Sequence, residues 1–296
     1  MNAFLFAWKV SRFFPVSVIR FFAGFGTWIA WARHGKGATR LEENLHRVTG
    51  LQGKALRRLS RRAMASAARY YSEVLELRRM KGSVIDARCR MVGDGFAKEY
   101  LSDPGCVIVA LGHSGNWDLV GAYTCRNLAP ITTVAEILKP REAFEEFLRF
   151  REGLGMTVLG NEGSSTFRSL ILAAKEHGGV IALVADRDLS GSGISVEMWG
   201  HHARVAPGPA ALSVATETPL LPLVAYYERL RGRARWAARS RWGTVMEFGP
   251  RIPVPRGARV AQVPEMTQKW ASFLADGITQ HPEDWHMLQR FGWIDE

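Results

Sequence analysis

Cysteine is scarce: the 296 residues hold three, Cys89, Cys106 and Cys125, scattered and without metal-ligand spacing. That excludes a disulfide framework and points to reduced thiols in a cytosolic compartment; Cys106, inside an apolar run, reads as core packing. Lysine is short as well, supplying 8 of the 39 cationic residues, so arginine carries the charge, a weak mark of a GC-rich genome. No repeat or low-complexity tract is present. No P-loop, zinc-finger or RNP pattern accompanies the net charge of +11, which argues against a nucleic-acid-binding protein even though the charge alone implies some anionic partner. His201-His202 lacks a Cys or HExxH companion, and adjacent histidines seldom ligate one ion, so no metal is expected.

A long charge-free stretch is also missing. Met1 to Ala32 is rich in Phe and Trp, but Lys9, Arg12 and Arg20 interrupt it. The longest uncharged run, Phe21 to Ala32, falls short of the roughly 20 residues a spanning helix needs. Ala30-Trp31-Ala32 mimics a signal-cleavage site, yet no polar mature start follows, and cleavage is not expected. The reading that remains is a pair of amphipathic, aromatic helices broken near Pro15 and lying in a bilayer interface. Packing on the domain core is the bland alternative. From Leu41 to Met80 the pattern is helical; the Arg residues between Leu56 and Met64 form either a solvated face or a contact for anionic headgroups.

After Gly82 strands and helices alternate, the pattern of an α/β sheet. Strands are expected at Val107–Leu111, Ile131–Ala135, Thr157–Leu159, Val180–Ala185 and Leu220–Tyr227, with helices at Asp118–Asn127, Arg141–Glu152, Ser165–His177 and Gly208–Thr216. The chain thus divides into a helical membrane-associating region, 1–80, and an α/β region, 81–296, with a central mixed sheet flanked by helices.

The informative stretch is Gly105-Cys-Val-Ile-Val-Ala-Leu-Gly-His113-Ser-Gly-Asn-Trp-Asp118. An apolar strand runs into a Gly-flanked His followed five residues later by Asp. On a continuous helix, positions i and i+5 point roughly 140° apart, so His113 and Asp118 can meet only across a turn, which Gly115 and Asn116 can supply. Ser114 or Asn116 would cap the helix, and Ser114, lacking a Gly-x-Ser-x-Gly elbow, reads as a cap and not as a nucleophile. An ionised Asp118 would fix the imidazole tautomer and leave its other nitrogen as a general base. His113, Glu136 and Asp186 each follow the end of an expected strand, where sites in such sheets form.

These residues also carry a resemblance. His113-x4-Asp118 resembles the motif of membrane glycerolipid acyltransferases, and His-Ser-Gly-Asn-Trp-Asp resembles the bacterial lipid A late acyltransferase family. Within that family the similarity runs to the actinobacterial phosphatidylinositol mannoside acyltransferases. Thr132-Thr-Val-Ala-Glu136-Ile-Leu-Lys-Pro140, Phe150-Arg151-Glu-Gly-Leu-Gly155, Ala185-Asp186-Arg187-Asp188-Leu-Ser190 and Ala206-Pro-Gly-Pro-Ala210 follow in the family's order, and Pro282-x-x-Trp285 resembles its closing segment.

The resemblance implies a membrane-associated enzyme at the cytoplasmic face of the plasma membrane. It would move a long, palmitoyl-like acyl group from acyl-CoA to a mannose hydroxyl of phosphatidylinositol mannoside. His113, Asp118 and Asp186 are its implied catalytic residues; the family usually has Glu at position 186, and the Asp186 carboxylate is expected on the same rim as His113, bonding either the imidazole or the acceptor sugar. Glu136, Arg151, Arg187 and Arg204 are the expected substrate contacts. Arg187 with Asp188 could equally form a local ion pair, and Arg151 could pair with Glu152. Acyl-CoA is a co-substrate and no cofactor is implied; the chain is expected to act as a monomer at an anionic membrane surface. An acyl carrier protein donor, or a lysophosphatidate acceptor, are the enzymatic alternatives.

Overall fold

A computed structural model describes residues 8, 13–93, 105–137, 139–176, 178–188 and 191–294. Lys9, Arg12, Leu189 and Ser190, and most of the expected first interface helix, lie outside them.

Three helices come first: α1 (Val16–Ala32), α2 (Lys36–Thr49) and α3 (Gly53–Leu77). Pro15 precedes α1, as its fixed φ and missing N–H favour at a helix start. Gly50, at φ 68°, ends α2 and splits the helical stretch expected from Leu41 to Met80. The short α4 (Gly82–Arg88) leads into β1 (Cys89–Val92), and β2 (Cys106–Leu111) then opens an alternation. It runs through α5 (Trp117–Asn127), β3 (Ile131–Ala135), α6 (Arg141–Glu152), β4 (Met156–Gly160), α7 (Ser164–Glu176) and β5 (Gly179–Val184). A hairpin follows, β6 (Ile194–Met198) and β7 (His201–Val205), then α8 (Gly208–Thr216), β8 (Leu220–Arg229), α9 (Gly232–Ala237), β9 (Trp242–Phe248) and the long α10 (Arg259–Gln280).

The expected strands and helices form within a residue or two, and β1, β9 and the β6–β7 hairpin are additions. The main sheet has the order β1-β9-β8-β2-β5-β3-β4. β8, β2, β5, β3 and β4 run parallel, while β9 turns back antiparallel to β8 and carries β1 alongside it. The sheet is therefore mixed.

β2 is buried along its whole length, which is why its sequence is a continuous β-branched and apolar run and not an alternating one. Ile108 and Ala110 face a core shared with α8 and α10, where Trp270 and Leu274 pack. Val107, Val109 and Leu111 face the opposite core, with Val120, Ile131 and Met156.

The N-terminal helices are knitted into the α/β region. Asn44 Nδ2 donates to the Met287 carbonyl at 2.9 Å, and Tyr70, at the centre of α3, packs with Leu119 of α5 in one apolar cluster. Beneath them lies a buried charge cluster. Arg88, 3% exposed, donates Nε to the Ala238 carbonyl at 3.0 Å and faces Glu73 and Glu76 at 3.4 and 3.6 Å. Glu73 Oε2 also accepts from Asn116 and from the Tyr227 hydroxyl. Removing one member of a buried ionic group leaves the others uncompensated. Arg88→Leu is accordingly expected to lower the unfolding free energy by about 3–5 kcal/mol, read by urea denaturation; a loss under about 1 kcal/mol would mean that the cluster is not a structural keystone.

Candidate active site

β2 and β5 are adjacent and parallel, with Leu111 opposite Val184. Two residues further on, in the same register, stand His113 and Asp186. His113 Nδ1 and Asp186 Oδ1 are 2.6 Å apart, and the His113 backbone N–H donates to Asp186 Oδ2 at 2.9 Å. A third donor, Trp285 Nε1, reaches the same Oδ2 at 3.1 Å. The carboxylate is fully buried. Burial opposes its ionisation, but the bonds and charge of His113, together with the Trp285 N–H, outweigh it and hold the carboxyl below its ordinary range. With Nδ1–H committed to Asp186, Nε2 is left as the free acceptor. The His113 side chain is 31% exposed, so that nitrogen can meet a substrate.

The carboxylate bound to His113 is thus Asp186, which corrects the expected His113–Asp118 dyad. Asn116 caps α5, its side chain accepting from Leu119 N at 2.9 Å, and the turn sends Asp118 inward. There Asp118 pairs with Arg151 Nε at 2.7 Å and accepts from the Tyr70 hydroxyl at 2.8 Å. Arg151 therefore neither pairs with Glu152 nor presents a free fork: it neutralises Asp118 in the wall of an apolar cavity.

Ser114 is not the cap that the sequence suggested. Its hydroxyl is buried without a partner among the described residues, and its backbone bridges to Trp285. Gly115, at φ 59°, leaves no room for a side chain, since a Cβ there would lie 2.7 Å from the Ala225 carbonyl carbon of β8.

Two cavities that share wall residues lie close to the pair, lined by its chain neighbours and not by His113 or Asp186 themselves. One is narrow and apolar, between the sheet and α5, lined by Val109, Leu111, Trp117, Met156 and Leu223 with Asp118 and Arg151 in its wall. Trp117 sets its edge against the His113 ring, 5.5 Å between centroids. The other, about 330 Å³, is more polar and is lined by Glu136, Asn161, Arg187 and Asp188 with the start of α8 at Gly208 and Pro209. Val134 and Val184 line both.

Glu136 and Arg187 are therefore brought together beside the dyad, and Asp188 accepts from Gly193 N at 2.7 Å. Arg204 is not brought there. It is exposed on β7, between the inward-facing Ala203 and Val205, because strand alternation turns it away from the cavity. Adjacent His201 and His202 are both exposed.

The closing segment reaches the pair itself. Asp284 accepts from the Ser66 hydroxyl at 2.5 Å and from Tyr227 N at 2.8 Å. Its own carbonyl accepts from Gly115 N, and His286 N donates to the His113 carbonyl at 2.8 Å. Trp285, fully buried, touches the pair and was left unassigned by sequence reasoning; the Pro-x-x-Trp block located it but gave no sign of the bond to Asp186.

His286 is buried against Tyr70 and Trp117, with Nε2 3.1 Å from the Ser66 oxygen. Burial first, then the charges of Arg69 and His113, pull its pKa down from 6.5 to about 3. Between those values the unfolded chain binds a proton that the folded chain refuses, so stability falls as the pH drops below 6.5. From pH 7 to pH 5 His286 should account for a loss of about 2 kcal/mol. His286→Phe, compared with the parent by urea unfolding at both pH values, is expected to remove that part of the slope; an unchanged slope would mean that the ring is protonated in the fold.

Residues 2–291 match the family model described as bacterial lipid A biosynthesis acyltransferase. The chain is 33% identical over 284 residues to the phosphatidylinositol mannoside acyltransferase of Mycolicibacterium smegmatis, covering 95% of this chain and 88% of that one. It is 33% identical over 293 residues to the enzyme of the same name from Mycobacterium tuberculosis H37Rv, covering 97% and 86%. Among solved structures, the 1-acyl-sn-glycerophosphate (LPA) acyltransferase from Thermotoga maritima superposes with a TM-score of 0.41 at 12% identity, over 90% of this chain and 96% of that one. The chain belongs to the bacterial lipid A biosynthesis acyltransferase family and is a lipid acyltransferase.

Proposed function

We propose that this protein transfers a long, palmitoyl-like acyl group from acyl-CoA to a mannose hydroxyl of phosphatidylinositol mannoside, with His113 as general base and Asp186 as the group that orients it. The observation that carries the reading is the His113–Asp186 pair, at 2.6 Å, on the rim where an apolar cavity and a polar one adjoin. The two mycobacterial relatives, both phosphatidylinositol mannoside acyltransferases, suggest the acceptor class.

The proposed reaction uses that pair as follows from ordinary acyl-transfer chemistry. Nε2 of His113 takes the proton of the acceptor hydroxyl as its oxygen attacks the thioester carbonyl. The tetrahedral intermediate then collapses, the carbon–sulfur bond breaks, and the imidazolium returns the proton to the leaving thiolate. The thioester is already activated, so neither an acyl-enzyme nor a resident cofactor is required. Asp186 stabilises the imidazolium and keeps Nδ1 protonated. The apolar cavity beside Trp117, about 70 Å³, offers an apolar wall for only part of the acyl chain; Glu136, Arg187 and Asn161 offer hydrogen bonds for a sugar or for the polar end of the donor.

Membrane association belongs to the same proposal: a peripheral enzyme at the cytoplasmic face, acting as a monomer. It draws support from α1, which buries only Ile19 and exposes Phe21, Phe22, Phe25 and Trp28. Among the described residues no helix is long and apolar enough to cross a membrane. A face of this kind suits the interface.

The two carboxylates now separate in their expected effects. His113→Ala should cost about 10²–10⁴-fold in turnover, and Asp186→Asn a comparable loss through the wrong tautomer, each with an unchanged circular dichroism spectrum. Asp118→Asn should act mainly on stability, by about 3 kcal/mol, because it leaves Arg151 buried and unpaired. Product mass spectrometry with palmitoyl-CoA and mannosylated phosphatidylinositol, together with thermal unfolding of each variant, checks all three. Near-native turnover in a folded His113→Ala enzyme would sink the mechanism. A folded, thermally normal Asp118→Asn enzyme as inactive as Asp186→Asn would restore Asp118 as the partner of the base.

A further inference from the structure

The connection from β8 to β9 contains Arg231, Arg233, Arg235, Arg239 and Arg241, following Arg229 at the end of β8, with no acidic residue from Leu230 to Trp242. Such a density of one charge is costly unless something anionic meets it. Arg235, Arg239 and Arg241 are exposed and pair with no carboxylate among the described residues. Beside them Trp236 is 84% exposed, a large ring that nothing in the fold uses. This connection does not stand alone. With Arg20 and Gly24 of α1 and Ala65, Arg69 and Ser72 of α3, it walls a cleft of about 730 Å³, within the range of small-ligand sites.

The floor of the cleft is fixed. Arg69 stacks on Trp242 at 3.8 Å and on Tyr227 at 4.6 Å. Arg20 is held by both oxygens of Glu76, at 2.5 and 2.7 Å. The rim, by contrast, offers three uncommitted guanidinium groups, whose forked donors match a phosphate. The exposed aromatic face of α1 adjoins the cleft through Gly24, so apolar and cationic surfaces are continuous.

β8 runs parallel to β2, so the connection leaves the sheet at the edge where His113 and Asp186 stand. A lipid surface that met the cleft would face the catalytic rim.

We infer that this cleft binds the phosphate of an anionic phospholipid headgroup at the bilayer surface, with Arg235, Arg239 and Arg241 as its ligands and Trp236 seated at the interface. The inference rests on the membrane association proposed above. It adds a defined headgroup site to what overall charge would give.

The test is vesicle flotation of the full chain, with phosphatidylcholine alone and with phosphatidylcholine containing about one-third phosphatidylglycerol. The test variant combines Arg235→Ala, Arg239→Asn and Arg241→Gln; Asn suits the φ of 47° at position 239. A control variant removes the same charge elsewhere, through Lys175→Gln, Arg256→Gln and Arg290→Gln, all exposed. Each basic residue at an anionic surface is worth about fivefold in binding, so the test variant should lose about 100-fold on anionic vesicles. The control should retain most of its affinity, and binding to neutral vesicles should be the same for all three. Thermal unfolding verifies that each is folded.

Equal losses in test and control variants, or none in either, would overturn the headgroup site while leaving membrane association intact. Failure of the parent to float with any vesicle would overturn membrane association and the site with it. Preferential binding of a DNA duplex over anionic vesicles, or of soluble glycerol phosphate without gain from a bilayer, would assign the cleft to a different ligand and refute the inference.

Discussion

The parallel pairing of β2 with β5 is the constraint on which the rest depends. Its register, Leu111 opposite Val184, delivers two loop residues far apart in sequence to the same height above the sheet. The carboxylate of one then bonds both the ring and the backbone of the other. A one-residue slip would turn either side chain to the opposite face. The apolar continuity of both strands, packed on two cores at once, is what makes such a slip costly.

Around that pair lie several buried charged groups whose partners explain them. Asp118 and Arg151 neutralise one another within an apolar wall; Glu73 links α3 to the cap of α5 and to β8; Asp284 joins α3 to β8. Buried ion pairs add little net stability over apolar replacements but are severe when half-broken. Their effect here is geometric: they fix how α3 and α5 lie against the sheet, and hence where the turn from His113 to Asn116 sits.

Much of this was legible in the sequence because it is periodic. The continuous run at Cys106–Leu111 and the Pro207-Gly-Pro209 helix start are local signals, and local physics honours them. The partner of His113 was legible only in part. Spacing favoured Asp118, five residues away, and the strand ends put Asp186 on the same rim without deciding between the imidazole and the acceptor; the pairing, 73 residues apart, is specified by strand order and register. Likewise Arg151 beside Glu152 suggests a surface pair, yet packing of α6 against α5 offers the deeper Asp118. Arg204 shows the reverse error: alternation along β7 would have turned it outward had that hairpin been recognised. Trp285 was visible as a motif residue, but its bond to a carboxylate 99 positions earlier belongs to tertiary structure alone.

That last bond has a temporal meaning. His113 and Asp186 leave the ribosome long before Pro282–His286, and until that segment folds back, Asp186 lacks one donor and the His113–Gly115 turn lacks the backbone bonds that pin it. A nascent chain can therefore hold both members of the pair before it holds the clasp that aligns them, because the indole that completes the donor set of Asp186 is synthesised 99 residues after the carboxylate itself.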